Sequence, residues 1–226
     1  MVTTWNGGTS HQLGKPLPAR GEGGERDRRP IDDLFQLARL DAGIIEPDLD
    51  LISIAELIVD IAQEYRPIAE RNGITLRLER DTEHSTVNAD IRLTERAITN
   101  LLDNALRHTA AGGEIVVSIA NDNGVSVRVS DDGDGIRPDD LPHVFDRGFR
   151  STSTSRACPA SSGLGLAIVD MIAKAHGGSA AYRDSELLGG ACFSVPLPGR
   201  VISQGKPADE VAPVKLASQP ASVRSL

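Results

Sequence analysis

The sequence predicts an α+β fold, a two-layer sandwich in which a mixed, mostly antiparallel sheet carries helices on one face. Three observations lead there. Apolar residues recur at helical spacing over 53–71, from about 90 onward and over 164–175. Short runs between and after these segments alternate apolar with polar residues, as half-buried strands do. Turn signals such as Asn72 with Gly73, and Asn123 with Gly124, punctuate them. Helices and antiparallel strands mixed in one chain define the class.

The elements follow in order. Residues 1–30 are rich in Gly, Pro and Arg without any period and read as a disordered arm. Ile31, Leu34, Phe35 and Ala38 repeat at helical spacing, and Gly43 offers a stop, so a short helix is expected over 31–42. Pro47 belongs to a linker. Ser53 is the expected N-cap of a helix reaching Arg71, with Glu56 completing a capping box. Ile74, Leu76 and Leu78 alternate with polar residues and predict a strand. A second long helix starts at or near Asp90. Segments 115–120 and 125–129 read as strands joined by the turn at Asn123 and Gly124. A third helix is expected over 164–175, ending before His176, Gly177 and Gly178. Segments 179–183 and 191–195 read as a final strand pair. Residues 199–226 are Ala, Pro, Ser and charge, and read as a loose tail. The folded domain is therefore expected over 51–198.

Composition narrows the function classes. The 226 residues carry a net charge of −8, with 39% hydrophobic and 25% charged residues. That is a globular balance. Aromatics make up only 3%, so the core must be aliphatic. The acidic charge argues against nucleic acid as a partner, because a phosphate backbone calls for clustered Lys and Arg. Cys158 and Cys192 lack metal-ligand spacing. The sequence has no run of about 18 apolar residues and its N-terminus lacks an apolar signal core, so no transmembrane segment is read and a cytoplasmic location is expected.

Four motifs carry the chemistry. They are NLLDNALRHT (100–109), SDDGDGI (130–136), FDRGFR (145–150) and SGLGLAIV (162–169). Asn100, Asn104, Arg107 and His108 stand at i, i+4, i+7 and i+8, which puts them on one helix stripe. An Asn oxygen can ligate Mg²⁺, which takes few protein ligands when phosphates supply the rest. Arg107 could reach phosphate oxygens. A solvated helix face is the plain alternative. Asp131 ends a strand and enters a turn with Gly133 and Gly135. A carboxylate there can accept from the exocyclic amine of adenine, whereas guanine presents a carbonyl. A hairpin turn or a calcium loop using Asp131, Asp132 and Asp134 is the alternative, though the bidentate Glu at EF-hand spacing is missing. Gly163 and Gly165 precede a helix whose free N–H groups would attract phosphate; plain helix packing is the alternative. The segment 147–162, dense in Ser, Thr and Gly, could close over a nucleotide as a lid.

In this order the motifs resemble the asparagine box, first glycine box, phenylalanine box and second glycine box of the catalytic ATP-binding domain of bacterial sensor histidine kinases. The resemblance extends over about 51–198 and includes His176 to Gly178 and the closing Phe193, Leu197 and Pro198. It implies ATP and Mg²⁺ as ligands. Asn104 would ligate Mg²⁺ with Asn100 assisting. Arg107 and His108 would line the phosphates and base. Asp131 would bind adenine in a turn shaped by Gly133, Gly135 and Ile136. Phe145 and Phe149 would anchor the lid, Arg147 or Arg150 would approach the γ-phosphate, and Gly163, Leu164, Gly165 and Leu166 would face the phosphates. Hydrolysing relatives place a glutamate where Asn100 stands. Asn cannot act as a base, which favours phosphoryl transfer to a protein over hydrolysis. Ser161 and Gly148 depart from the family pattern within the lid.

The resemblance also implies a phosphoacceptor. SHQLGKPL (10–17) resembles the family's histidine box with His11 in the acceptor place, and 31–46 resembles the end of the second dimerisation helix. About 20 residues separate His11 from Ile31, and they include Gly14, Pro16, Pro18, Gly21, Gly23 and Gly24. A long helical hairpin cannot be built from them, so the region reads as truncated. The expected partners are a response regulator receiver domain and a separate histidine-bearing or sensor protein. A non-catalytic ATP-binding module and a serine-directed anti-sigma-type kinase are the rival readings.

Overall fold

The computed structural model describes residues 46–79, 86–120, 124–151 and 163–197. The segment around His11, the helix expected over 31–42, Asn123, Cys158, Ser161 and the tail all lie outside them. The elements are β1 (Asp50–Ser53), α1 (Ile54–Arg71), β2 (Thr75–Glu79), β3 (Thr86–Ala89), α2 (Ile91–His108), β4 (Glu114–Ala120), β5 (Val125–Asp131), a 3₁₀ turn (Leu141–His143), α3 (Gly165–Ala175), β6 (Ala181–Asp184) and β7 (Ala191–Leu197).

Local chemistry sets the helix ends. Ser53 Oγ accepts from the Glu56 N–H at 3.3 Å and starts α1 as expected. Ile54, Leu57, Ile58, Ile61, Ala62, Tyr65 and Ala69 are its buried residues, a stripe at spacings of three and four. Pro67 lies inside this helix on its exposed side, where water can take the carbonyl its ring leaves without a donor. Asp90 Oδ1 accepts from the Arg92 and Leu93 N–H groups at 2.9 and 3.0 Å and starts α2. His176 closes α3. Its Nδ1–H donates to the Ile172 carbonyl at 2.8 Å and its Nε2 accepts from the Asp90 N–H at 3.0 Å, which requires the neutral ring. This buried imidazole bolts the end of α3 to the start of α2.

A five-stranded sheet runs in the order β2-β4-β5-β7-β6. β2 pairs parallel with β4, and the other pairs are antiparallel. One face presents Ile115, Val117, Val127, Val129, Phe193 and Val195 to the helices, and the core is aliphatic around Ile98, Leu101, Ile168 and Ile172. Ser118, Arg128 and Ser130 alternate onto the other face. The expected two-layer α+β architecture is therefore the observed one. Among the described residues no helix is long and apolar enough to cross a membrane.

The sequence reading did not find β1 and β3, which form a separate antiparallel pair. Each is four residues long, and only Ile52, Val87 and Ala89 bury an apolar side chain there. Four residues carry too little alternation to announce a strand, and their pairing spans a long sequence separation.

Candidate functional site

Four segments far apart in sequence meet at one edge of the helical layer. Helix α2 buries Leu93, Ala97, Ile98, Leu101, Leu102 and Ala105. That leaves Asn100 and Asn104 half-buried on its flank and exposes Arg107 and His108. Asn100 Nδ2 donates to the Arg96 carbonyl at 2.9 Å, which orients the amide. Its Oδ1 faces the start of α3, where a Cβ placed on Gly165 would lie 3.3 Å away. The first and fourth motifs touch here, and Gly165 keeps the approach close. Helix α3 begins without a side-chain cap.

Strand β5 ends at Asp131, which is 2% exposed. Its Oδ1 accepts from the Gly133 N–H at 3.0 Å and the Ala191 N–H at 3.2 Å. Burial pushes this carboxyl above its usual range; the Ala191 and Gly133 amides and the charge of His108 pull it back, while Asp132 adds to the rise. With Oδ1 held by two amides, Oδ2 is the oxygen left for a ligand, fixed before the ligand arrives. Gly133 is a close-approach position: a Cβ there would meet the His108 carbonyl oxygen at 2.8 Å. The turn thus packs on the end of α2. Asp132 turns the other way and accepts from the Glu114 N–H at 3.0 Å. The neighbouring carboxylates do not converge as a calcium loop requires. Among the described residues no three His, Cys, Asp or Glu gather to hold a metal.

The third and fourth motifs are joined backbone to backbone. The Gly148 N–H donates to the Gly163 carbonyl at 3.1 Å. Gly163 has φ +69°, and a Cβ there would lie 2.8 Å from the Gly148 carbonyl carbon and 2.9 Å from the Phe149 oxygen. Only glycine fits. Phe145 stands edge-on to Phe193 with ring centroids 6.1 Å apart, and Phe149 lies 6.1 Å from the His143 ring. Leu164, Leu166 and Ile136 pack partly buried against the core. Residues 152–162, most of the expected lid, fall outside the described segments.

The structure therefore brings together Asn100 with Gly165, His108 with Gly133 and Asp131, and Gly163 with Phe149. Arg107, Arg147 and Arg150 are each exposed, and Arg147 Nη2 rests 3.7 Å from Met171 Sδ on α3. The β6–β7 hairpin also belongs to the site, although none of its residues stands in the four motifs. A Cβ on Gly190 would lie 2.5 Å from the Asp131 oxygen and the Gly133 nitrogen, and Tyr182 Oη accepts from the Ile136 N–H at 3.1 Å. The adjacent Gly189 and Gly190, and a tyrosine in an aromatic-poor chain, were the available signals. A groove of about 290 Å³ lined by Ser118, Arg128, Ser130 and Cys192 lies on the opposite sheet face. It lacks a buried acceptor of the Asp131 kind.

Comparison with known proteins gives concordant results. The family model described as histidine kinase-, DNA gyrase B-, and HSP90-like ATPase matches residues 89–201. The sensor histidine kinase CusS of Escherichia coli K12 is 33% identical over 174 residues, covering 76% of this chain and 35% of its own length. The sensor protein SrrB of Staphylococcus aureus NCTC 8325 is 31% identical over 175 residues, 77% of this chain and 30% of its own. The chain thus spans about a third of the length of these curated relatives. Among solved structures, full-length ShkA in complex with AMPPNP superposes with a TM-score of 0.64 at 25% identity, over 78% of this chain and 37% of its own. The mycobacterial sensor histidine kinase MprB gives 0.54 at 28% identity, over 68% and 99%.

Proposed function

From the premise that the chain belongs to the histidine kinase-, DNA gyrase B- and HSP90-like ATPase family, as a domain of the sensor histidine kinase type, we propose that it binds Mg-ATP and passes the γ-phosphoryl group to a histidine in two-component signalling. The observation that carries this is Asp131, a buried carboxylate held by two backbone amides beside the α2 flank. Its Oδ2 would accept from the adenine amine, while a guanine carbonyl would meet it oxygen to oxygen. Gly133, Gly135, Ile136 and Phe149 would shape the base site. Asn104, assisted by Asn100, offers the neutral oxygen donors that Mg²⁺ accepts alongside phosphates. Arg107 and His108 would line phosphates and base, and the backbone of Gly163, Leu164, Gly165 and Leu166 would face the phosphates. When bound, Mg-ATP supplies the γ-phosphoryl group with its charge partly neutralised. Arg147 or Arg150 would stabilise that group during transfer. Asn100 carries no basic atom, and its Nδ2 is committed to the Arg96 carbonyl, so it cannot activate water for hydrolysis. The acceptor would be His11 or a histidine on a separate partner, with a response regulator aspartate as the next station, all in the cytoplasm.

The test is incubation of the chain with γ-labelled ATP, alone and with a response regulator. Acid-labile label on the wild type, lost in His11→Ala and in Asn104→Ala, is the expected result. Label that persists in His11→Ala moves the acceptor to another protein or residue. A wild type that binds no ATP in calorimetry overturns the proposal. The glycines and prolines between His11 and Ile31 favour a second reading, a nucleotide-responsive module without kinase activity. Tight ATP binding with no acid-labile label on any partner would establish it, and acid-stable phosphoserine would point to a serine-directed kinase.

A further inference from the structure

The β6–β7 hairpin lies outside the four motifs, yet it holds the turn that follows Asp131. Tyr182 on β6 is in register with Phe193 on β7. Their rings meet at 5.3 Å and 61°, and Phe193 stands edge-on to Phe145 in turn. The chain has four Phe and two Tyr, and three of them form this one run. Aromatic edge contacts fix the plane of the Tyr182 ring and so the place of its hydroxyl. The hydroxyl donates to Asp184 Oδ1 at 2.7 Å. Its lone pairs are then free to accept, and the Ile136 N–H points at them from 3.1 Å. Burial, then the bond to Asp184, pushes the phenol up to about 12, so the hydroxyl keeps its proton at any physiological pH. Gly135, with φ +68°, lies directly above: a Cβ there would sit 3.5 Å from Tyr182 Oη.

We propose that Tyr182 is a positioning residue for the nucleobase, acting through the Ile136 amide to set the curvature of the 131–136 turn. The inference rests on the ATP-binding reading above. Asp131 defines one end of the turn through Gly133 and Ala191, and Tyr182 defines the other. Without the second anchor the Ile136 amide loses its acceptor, and the turn can relax away from the edge of the base. The phosphate side of the cleft has no part in this bond. Tyr182 therefore governs selectivity for adenine and leaves the affinity for the triphosphate group untouched.

The test compares wild type, Asp131→Ala and Tyr182→Phe in the full chain. Phe keeps the ring contacts and removes only the hydroxyl. Dissociation constants for ATP, GTP and inorganic tripolyphosphate are measured by calorimetry, and exchange of the Ile136 amide by NMR without nucleotide. Tyr182→Phe should weaken ATP about three- to tenfold, the worth of one hydrogen bond. GTP and tripolyphosphate should be unchanged, so the ATP preference falls, and the Ile136 amide should exchange faster while the melting temperature stays near wild type. An unchanged ATP-to-GTP ratio overturns the inference. So does an equal loss for ATP and tripolyphosphate, which would mean a general loosening. A wild type that binds no ATP defeats the parent reading and this inference with it, whereas normal binding in Tyr182→Phe defeats the inference alone.

Discussion

At the proposed base end of the cleft Asp131 is 2% exposed and both ends of its turn are tied to other strands through backbone amides. At the proposed phosphate end Arg107, Arg147 and Arg150 are exposed side chains on long stems. The contrast is between a buried, backbone-held acceptor and exposed donors. An acceptor fixed by backbone loses no rotamer freedom when a ligand arrives, whereas each arginine gives up about 2 kcal/mol of side-chain entropy if fully ordered. On the proposed function the Asp131 end would discriminate and the arginine end would adapt. In the proposed reading, such a site would select its nucleotide first and gather the reacting group afterwards.

The largest effect should come from reversing the polarity of the rigid end. In Asp131→Asn the amide oxygen can still accept from Gly133 and Ala191, which turns the NH₂ toward the ligand. Donor would face the adenine amine, and ATP affinity should fall about 100-fold or more, with GTP losing far less. Calorimetry with both nucleotides checks it, and wild-type ATP affinity would break the comparison. The same variant reports on pH. Burial raises the Asp131 carboxyl in the folded state, so between the unfolded value of about 3.9 and the raised folded one the folded chain binds the extra proton. The contribution of Asp131 to stability is therefore greatest below that window, declines as pH rises through it and then levels off. Urea titrations across pH should show this decline in wild type and its absence in Asp131→Asn.

Gly190→Ala probes the rigidity itself. The added methyl would press on the Asp131 carbonyl oxygen and the Gly133 nitrogen. Backbone on both sides cannot yield cheaply, so stability should drop about 1–3 kcal/mol, with ATP affinity falling in parallel. A variant as stable as wild type would show that the hairpin is a soft backing. The smallest effect is expected at the adaptable end. Arg147→Ala and Arg150→Ala should each change ATP affinity less than about threefold, as exposed ion pairs do, while slowing phosphoryl transfer more than binding. A tenfold loss of affinity in either would place that arginine among the fixed contacts.

The same contrast explains what the sequence disclosed. Ser53, Asp90 and the His176 turn announce helix ends because capping is local, and the apolar stripes of α1 and α2 repeat within one turn. Asn100, Asn104, Asp131 and the glycines stand in short motifs and could be read directly. Tyr182 could not, because its partner Ile136 is 46 residues away. The β6–β7 pair was legible, but their meeting also depends on β7 pairing with β5 across a separation that no local pattern encodes. The brief strands β1 and β3 stayed hidden for the same reason.

The hydrogen bond from Gly148 to Gly163 has a consequence for variation in this fold. The bond pins the two glycines side by side, so the domain fixes the distance that any chain between them has to span. Closing a loop twice as long costs only about 0.6 kcal/mol more. A change in the number of residues between the glycines should therefore cost the fold little, whatever it does to the ligand.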